Sequence, residues 1–213
     1  MKRKFSKDTL TTRAYNIELR ADENENGVIE GVPIVFGQVT TIHDWCGEFR
    51  EVIDSHALDK CDLKDVLLCV NHDVDKIALA RSKNGKGTMT LEVKEDGLHM
   101  RAKLDVENNT EARNLYSAIQ RGDMDGMSFM FRVDDEEWSD LDSKIPLRTI
   151  RGISIVHEVS VVNFPAYKQT SVSARMSQES EFSPLAEARK QLEETNKQKV
   201  ELEKLKFKYL MEV

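Results

Sequence analysis

The chain has 213 residues, of which 39% are hydrophobic and 32% are charged, and its formal net charge is −7 at pH 7. This length suits one compact domain plus an appendage rather than two large domains. A net negative charge does not favour direct nucleic-acid binding, because capture of a phosphate backbone depends on clustered Lys and Arg.

The sequence also carries signals about compartment. The basic start MKRKFSKDTL lacks the apolar segment of a signal peptide, and no run approaches the roughly 20 apolar residues that a membrane span requires. The three cysteines, Cys46, Cys61 and Cys69, have neither an even number nor zinc-finger spacing. We therefore expect a soluble intracellular protein with reduced thiols and no membrane partner.

Alternation of apolar and polar residues predicts strands from Tyr15 to Val162. AYNIELR shows this period of two, and GTMTLEV and GLHMRAKLDV repeat it. Glycines near the ends of these segments fit the turns between strands. The pattern predicts a mostly β (α+β) fold whose core is antiparallel and barrel-like.

Two helices are expected within this region. The clearer one, TEARNLYSAIQRG, can end at Gly122 and has apolar residues at helical spacing, namely Ala112, Leu115, Tyr116 and Ile119. The other, near SHALDKCDL, is shorter. An acidic stretch, Asp134 to Lys144, is expected to be a solvated loop between two strands, since it lacks the glycine of a calcium-binding loop.

Composition divides the chain into four segments. We expect a flexible N-terminus at residues 1–13, a main domain at 14–167, a flexible linker at 168–182 and a C-terminal helix at 183–213. The linker is polar and aperiodic, from Lys168 to Phe182.

The last segment has the signals of a helix start. Ser183 and Pro184 fit a cap and a first helical residue, and strong helix formers follow without Gly or Pro. Its apolar positions form a ragged heptad pattern, at Leu185, Leu192, Val200, Leu202, Leu205, Phe207 and Leu210. Two interpretations stay open: a coiled coil, or a charged and solvated helix.

A single hydroxyl lies among large apolar side chains in RGDMDGMSFMFRV. On a strand, Ser128 shares a face with Met130 and Arg132, while the intervening residues point into the core. A serine in a strand is most often a small residue bonded to a carbonyl. It can act as a nucleophile only with a base within hydrogen-bond reach, usually an imidazole.

Among the five histidines, His72 is the best placed to be that base. It follows the apolar strand Val66 to Val70 at the start of a polar turn. His157 and Glu158 are adjacent in the apolar segment GISIVHEVSVVNFPAY. Because neighbouring strand residues point to opposite faces, at most one of the two can face the same cleft as His72.

Each of these positions also has a structural interpretation. His72 could cap its turn or pair with Asp73. Glu158 could be a buried acid that forms an ion pair with an arginine such as Arg132 or Arg151.

In these segments the sequence resembles the tailed-phage (caudovirus) prohead maturation proteases, a family related in fold to the herpesvirus assemblins. The resemblance spans Tyr15 to Tyr167. It rests on an ordered set of motifs: NHD followed by LARS, then LEVKEDGLHMRAKL, RGDMDGMSFMF and HEVSVVNFPAY. It implies an assemblin-like serine protease domain at 14–167, with His72 as general base, Ser128 as nucleophile and Glu158 as third catalytic member.

The order His, Ser, acid differs from that of commoner serine hydrolases. Chymotrypsin relatives have His, Asp, Ser, subtilisins Asp, His, Ser, and α/β hydrolases Ser, acid, His. The related herpesvirus enzymes use a second histidine as third member, which makes His157 the alternative to Glu158. We favour Glu158, because a carboxylate better stabilises the imidazolium that forms on His72.

The assemblin relatives also suggest an oxyanion site. Backbone amides in a turn at RTIRG, helped by Arg151, could stabilise the anion. An ion-pair role for Arg151 is the alternative that we prefer.

The resemblance further implies the biological setting. The expected function is a serine endopeptidase that digests the scaffolding protein, or the scaffolding segment of the major capsid protein, inside the assembling prohead in the host bacterial cytoplasm. It also implies self-cleavage, for which the accessible linker is the expected site. A homodimer is expected from the assemblin relatives, and neither a cofactor nor a metal is expected.

Two other functions compete with this one. The first is a non-enzymatic capsid scaffold or assembly protein with a degenerate protease domain. The second is a metal hydrolase, which the lack of any recognised ligand spacing disfavours. Its candidate ligands are His43, Asp44, His72, Asp73, Asp75, His157 and Glu158.

Overall fold

The alternating segments form strands in the computed structural model, which describes residues 2–4, 10–15, 19–22, 24–163, 172–173 and 183–211. The strands in this part of the chain are β1 (Lys2–Lys4), β2 (Leu10–Tyr15), β3 (Leu19–Ala21), β4 (Val28–Val35), β5 (Thr40–Asp44), β6 (Gly47–Ile53), β7 (Leu67–Val70), β8 (Ala80–Arg81), β9 (Met89–Val93), β10 (Gly97–Lys103), β11 (Gly126–Ser139), β12 (Leu147–Val162) and β13 (Val172–Ser173). The helices are α1 (Thr110–Gln120) and α2 (Pro184–Met211), and a single 3-10 turn covers Lys83–Gly85.

The described strands form two open sheets. The larger has nine strands in the order β1-β11-β12-β6-β5-β13, with β2 also on β11, and with β7 between β12 and β8. The smaller has the order β3-β4-β10-β9. The predicted mostly β, α+β class is confirmed, but the sheets do not close into a barrel. Local alternation predicts strands and not their long-range pairing, so closure could not be read from the sequence.

The long strand β12 organises the larger sheet. It pairs antiparallel with β11 along most of its length. Its first residues, Leu147 to Ile150, run parallel to β6, and its later residues, Glu158 to Val161, run parallel to β7. This shared strand places the end of β7 one strand away from the first residues of β11, Met127 to Met130.

The predicted helix α1 is confirmed with its caps. The Asn109 side chain accepts hydrogen bonds from the backbone N–H groups of Glu111 and Ala112 at 2.9 and 3.2 Å. Gly122 follows the helix with φ 73°, a backbone conformation that glycine adopts readily. The predicted apolar face is buried in the main core, at Ala112, Leu115, Tyr116 and Ile119.

Helix α2 has the predicted start and packs by its first turns. The Ser183 hydroxyl accepts from the Ala186 N–H at 3.0 Å and donates to Asp44 Oδ2 at 2.6 Å. Leu185 and Ala188 are buried against the apolar side chains of a second core cluster, which contains Ile42, Phe49 and Trp138. Later apolar positions are exposed, at Val200, Leu202, Leu205, Phe207 and Tyr209. The coiled coil stays a prediction. Neither described helix has the length and apolarity that crossing a bilayer requires.

Two expected segments have a different structure. SHALDKCDL forms successive turns rather than a helix, with i+3 hydrogen bonds from the N–H groups of Ala57, Asp59 and Cys61. So short a segment cannot offset the cost of helix nucleation without strong propensity. Residues 134–139 of the acidic stretch extend β11, and Glu136 within them is fully buried.

Part of the expected flexible N-terminus forms strands. β1 and β2 both pair with β11, while the rest of residues 1–13 lies outside the described residues. Most of the linker 168–182 also lies outside them, apart from β13, which runs parallel to β5. The division into four segments and the assemblin-like character of the fold stay predictions.

A buried network of charged side chains joins the strands around Ser128. Glu51 of β6 accepts from Arg13 of β2 at 2.5 and 2.9 Å and from Arg148 of β12 at 2.8 Å. Arg148 also contacts Glu136, which in turn accepts from the Trp138 indole at 2.7 Å. Burial opposes ionisation of Glu51, but the positive charges of Arg13 and then Arg148 hold its pKa below the ordinary value.

Candidate active site

His72 lies in the turn that follows β7, as predicted. Both Asn71 and His72 have left-handed backbone conformations, with φ 52° and 63°, which are uncommon outside glycine. The Asn71 N–H donates to Val161 O at 2.9 Å, and the Asn163 N–H donates to Asn71 Oδ1 at 3.1 Å. The His72 N–H donates to Ser160 Oγ at 3.1 Å. These bonds attach the turn, and with it the imidazole, to β12.

The Glu158 carboxylate joins the imidazole from β12. Its Oε1 lies 2.5 Å from His72 Nδ1, and its Oε2 accepts from the Ser160 hydroxyl at 2.5 Å. Glu158 is fully buried, whereas the His72 side chain is 22% exposed. Because the carboxylate occupies Nδ1, the Nε2 atom of His72 is left for another partner.

Ser128 lies on the same face of the sheet as this pair. It is directly opposite Ser160 in the β11–β12 ladder, and Met130 is opposite Glu158. Directly opposed residues share a face with Cβ atoms about 4.5–5.5 Å apart. The Ser128 hydroxyl is fully buried and donates to Arg13 O of β2 at 2.8 Å. Within the described part of the chain, no hydrogen bond joins it to His72.

A β-bulge separates the two candidates for the third member. Met130 is opposite Glu158 and Phe131 is opposite Val156, so His157 is an extra residue in β12. Its Nε2 is buried and has no hydrogen-bond partner among the described residues. Desolvation and the nearby positive charge of Arg132 lower the pKa of His157. It is Glu158, not His157, that contacts His72.

A comparison of the sequence with models of known protein families gives a match. The family model described as caudovirus prohead serine protease matches residues 15–184. The chain belongs to this family. No curated protein and no solved structure matched the sequence. Membership implies a serine peptidase that acts on phage capsid proteins, inside the prohead in the host cytoplasm, and confirms the predicted resemblance.

The RTIRG segment of this prohead protease family member is not a turn. It lies within β12, where the Nη2 atom of Arg151 is 2.5 Å from Glu137 Oε2. Arg151 therefore forms the ion pair that we preferred to a role in an oxyanion site. The prediction of a turn at RTIRG is wrong, because these residues continue the β12 ladder with β11.

The candidate metal ligands of the competing hydrolase do not form a site in the described residues. No group of three or more His, Cys, Asp or Glu side chains is arranged there to hold a metal ion. His43, for example, lies 3.0 Å from Glu48, away from the pair formed by His72 and Glu158.

Sequence reasoning missed two groups at this prohead protease site. One is Ser160, which contacts both Glu158 and His72. Its signal was available, because a residue two positions after Glu158 shares its face of the strand. The other is the carbonyl of Arg13, which accepts from Ser128 across a sequence separation that no local pattern reveals.

Proposed function

We propose that the protein is a serine endopeptidase in which Ser128 is the nucleophile, His72 the general base and Glu158 the third catalytic member. One observation carries this assignment: the carboxylate of Glu158 holds His72 Nδ1 at 2.5 Å, on the face of the sheet that also bears Ser128. The buried acid fixes the imidazole tautomer, and Nε2 is the atom left to take the serine proton.

The reaction is acyl transfer to Ser128. His72 Nε2 takes the hydroxyl proton while Ser128 Oγ attacks the scissile carbonyl carbon. His72 then gives that proton to the leaving amine, and water hydrolyses the acyl enzyme by the same route. Base catalysis of this kind contributes about 10²–10⁴ in rate, and Glu158 stabilises the imidazolium that forms in between.

The resting hydroxyl has to change partner before it can attack. Ser128 Oγ donates to Arg13 O at 2.8 Å. A rotation about the Cα–Cβ bond moves Oγ between staggered positions without a change of backbone. We propose that substrate binding over the face of the sheet that bears Ser128 and His72 drives this exchange from Arg13 O to His72 Nε2.

The proposed substrates follow from family membership. They are the scaffolding protein, or the scaffolding segment of the major capsid protein, and the linker 168–182 of the chain itself. A homodimer is also proposed, from the resemblance to the assemblins, and sedimentation velocity checks it.

The deciding experiment compares wild-type protein with Ser128→Ala and His72→Ala. Each is incubated with the matching capsid and scaffolding proteins, and new termini are mapped by mass spectrometry. We expect kcat/KM to fall at least about 10⁴-fold in both variants, because nucleophile and base act as a unit.

Ser154→Ala is the matched control. Ser154 is a serine of the neighbouring strand β12. Its hydroxyl donates to Arg132 O at 3.3 Å, and in the described part of the chain no hydrogen bond joins it to His72 or Glu158. We expect it to cleave like wild type. Wild-type cleavage by Ser128→Ala would contradict the assignment, and a folded wild type that cleaves nothing would favour the non-enzymatic scaffold.

A further inference from the structure

Ser160 is the only described residue that bonds both to the Glu158 carboxylate and to the backbone of His72. It is fully buried near the end of β12, opposite Ser128 on one side and opposite Cys69 of β7 on the other. The serine therefore lies where the three strands that carry the proposed catalytic residues meet.

The first contact concerns the carboxylate. A buried carboxylate oxygen without a hydrogen-bond donor is costly. The imidazole of His72 occupies Oε1 of Glu158, and the Ser160 hydroxyl occupies Oε2 at 2.5 Å. With both oxygens held, the carboxylate cannot rotate away from Nδ1 without losing a bond.

The second contact concerns the main chain of the histidine. His72 has φ 63°, and left-handed backbone at a residue other than glycine persists only where the surroundings hold it. Ser160 Oγ accepts the His72 N–H at 3.1 Å. The one hydroxyl thus fixes the backbone from which the imidazole projects and the acid that orients its ring.

We infer that Ser160 is a positioning residue of the protease, which holds His72 at its backbone and, through Glu158, at its ring. The inference rests on the proposed roles of His72, Ser128 and Glu158. Ser160 does not touch the substrate in this role, so its loss slows the chemical step and leaves substrate binding unchanged. A displacement of about 1 Å in a catalytic group can cost about 10²-fold in rate.

A second buried serine provides the control that distinguishes a positioning role of Ser160 from a purely structural one. Ser82 is 5% exposed, and its hydroxyl accepts from the Val66 N–H at 2.8 Å and donates to Leu63 O at 3.3 Å. Replacing either serine by alanine leaves one buried main-chain N–H without its acceptor. Only Ser160→Ala also releases Glu158 and His72.

The experiment measures kcat, KM and the free energy of unfolding for wild type, Ser160→Ala and Ser82→Ala on the mapped cleavage peptide. We expect Ser160→Ala to lose at least as much stability as Ser82→Ala, because it also removes a donor from the buried Glu158 carboxylate. In Ser160→Ala, kcat falls about 10- to 100-fold with KM unchanged, whereas Ser82→Ala keeps wild-type kcat.

Proton NMR supplies a readout that stability alone does not move. The His72 Nδ1 proton in its short bond to Glu158 is expected at very low field in wild type and in Ser82→Ala. In Ser160→Ala this signal shifts upfield or broadens, because the carboxylate is no longer fixed.

Wild-type kcat in folded Ser160→Ala, or an unmoved low-field signal, would overturn the inference. Should the alanine variant not fold, Ser160→Cys under reducing conditions replaces it. The thiol keeps a hydrogen-bonding group on the same carbon but is larger and a weaker donor than the hydroxyl. We therefore still expect kcat to fall about tenfold, and a folded cysteine variant with wild-type kcat overturns the inference.

These outcomes are distinct from failure of the proposed function. If Ser128→Ala abolishes cleavage and Ser160→Ala does not lower kcat, only the positioning role fails. If Ser128→Ala cleaves like wild type, the assignment of Ser128 as nucleophile fails, whatever Ser160→Ala does.

Discussion

At the scale of single residues, the register of β11 and β12 decides which of two neighbours meets His72. Ser128 is opposite Ser160 and Met130 is opposite Glu158, so Glu158 and Ser160 share a face with Ser128. The bulge at His157 interrupts the ladder next to Glu158 and changes the pairing only of the residues that precede it in β12. Alternation showed that only one of the pair could face the cleft, but the choice required the register.

The proposed role of Glu158 leads to a first prediction. Glu158→Gln keeps the shape of the side chain but no longer favours the tautomer that His72 needs, so kcat is expected to fall about 10⁴-fold. His157→Ala, in contrast, is expected to cleave within a few-fold of wild type. Peptide cleavage by folded variants measures both. Near-full activity in Glu158→Gln with none in His157→Ala would show that His157 is the third member.

His157 is expected to affect stability instead. Burial and Arg132 hold its pKa below the ordinary value of about 6.5, so the unfolded chain binds more protons between the two pKa values. The free energy of unfolding therefore falls as the pH is lowered through this window. His157→Gln is expected to flatten that decrease, as measured by urea unfolding between about pH 5 and pH 8.

His56→Gln is the control for this measurement. The imidazole of His56 is 80% exposed on a turn and pairs with Asp59 at 3.2 Å. Its loss removes one titrating group without changing a buried site. Equal pH dependence in wild type and His157→Gln would contradict the explanation.

At the scale of elements, a network of buried charges joins the strands beside the proposed nucleophile, in addition to apolar packing. Arg13 places its carbonyl next to Ser128 and its guanidinium on Glu51. Through Arg148, the same network reaches β12 and β11. Such a network is costly to bury and tolerates no missing member, so it specifies the pairing of these strands.

Glu51→Gln tests this network. Removing one partner leaves the buried guanidinium groups of Arg13 and Arg148 without their counter-charge, and we expect a loss of about 3–5 kcal/mol in the free energy of unfolding. Urea denaturation measures it.

Asp65→Asn is the matched control at the surface. Asp65 pairs with Arg81 at 2.6 Å, but both side chains are about half exposed. Its replacement is expected to cost no more than about 1 kcal/mol. Equal losses in the two variants would show that the buried network contributes no more than a surface pair.

The sequence predicted the elements better than their arrangement. The strands, both helices and the strand exit at His72 follow from local periodicity and from residues such as Gly122 and Ser183. The Arg13–Glu51 and Glu51–Arg148 pairs could not be predicted, because their partners are 38 and 97 positions apart. The turns at SHALDKCDL differ from the prediction for a related reason, since packing overrides weak helical propensity.

At the scale of the whole molecule, the family match runs from Tyr15, the last residue of β2, to Pro184, the first residue of α2. The contacts that the structure describes for α2 lie in its first turns, at Leu185, Ala188 and the capping residue Ser183, and at Arg189, which donates to Ser143 O at 3.2 Å. The exposed apolar positions of α2 lie beyond these contacts. The protease region and α2 are thus joined by these contacts and by the chain segment 168–182.

At this scale we predict that the protein cleaves its own linker. Prolonged incubation of the purified wild-type protein is expected to yield new termini within residues 168–182, as mapped by intact-mass and peptide mass spectrometry. Ser128→Ala is expected to stay uncut under the same conditions. An intact wild-type C-terminus after long incubation, in a sample that digests capsid protein, would contradict it.

Strand β5 determines what such a cut would release. Val172 and Ser173 pair with Ile42 and His43, and Ser183 bonds to Asp44, the next residue of the same strand. Both flanks of residues 174–182 are therefore anchored on one short stretch of backbone. Hydrolysis between them would produce a nicked protein that elutes as one particle on gel filtration and separates into two polypeptides only in denaturant.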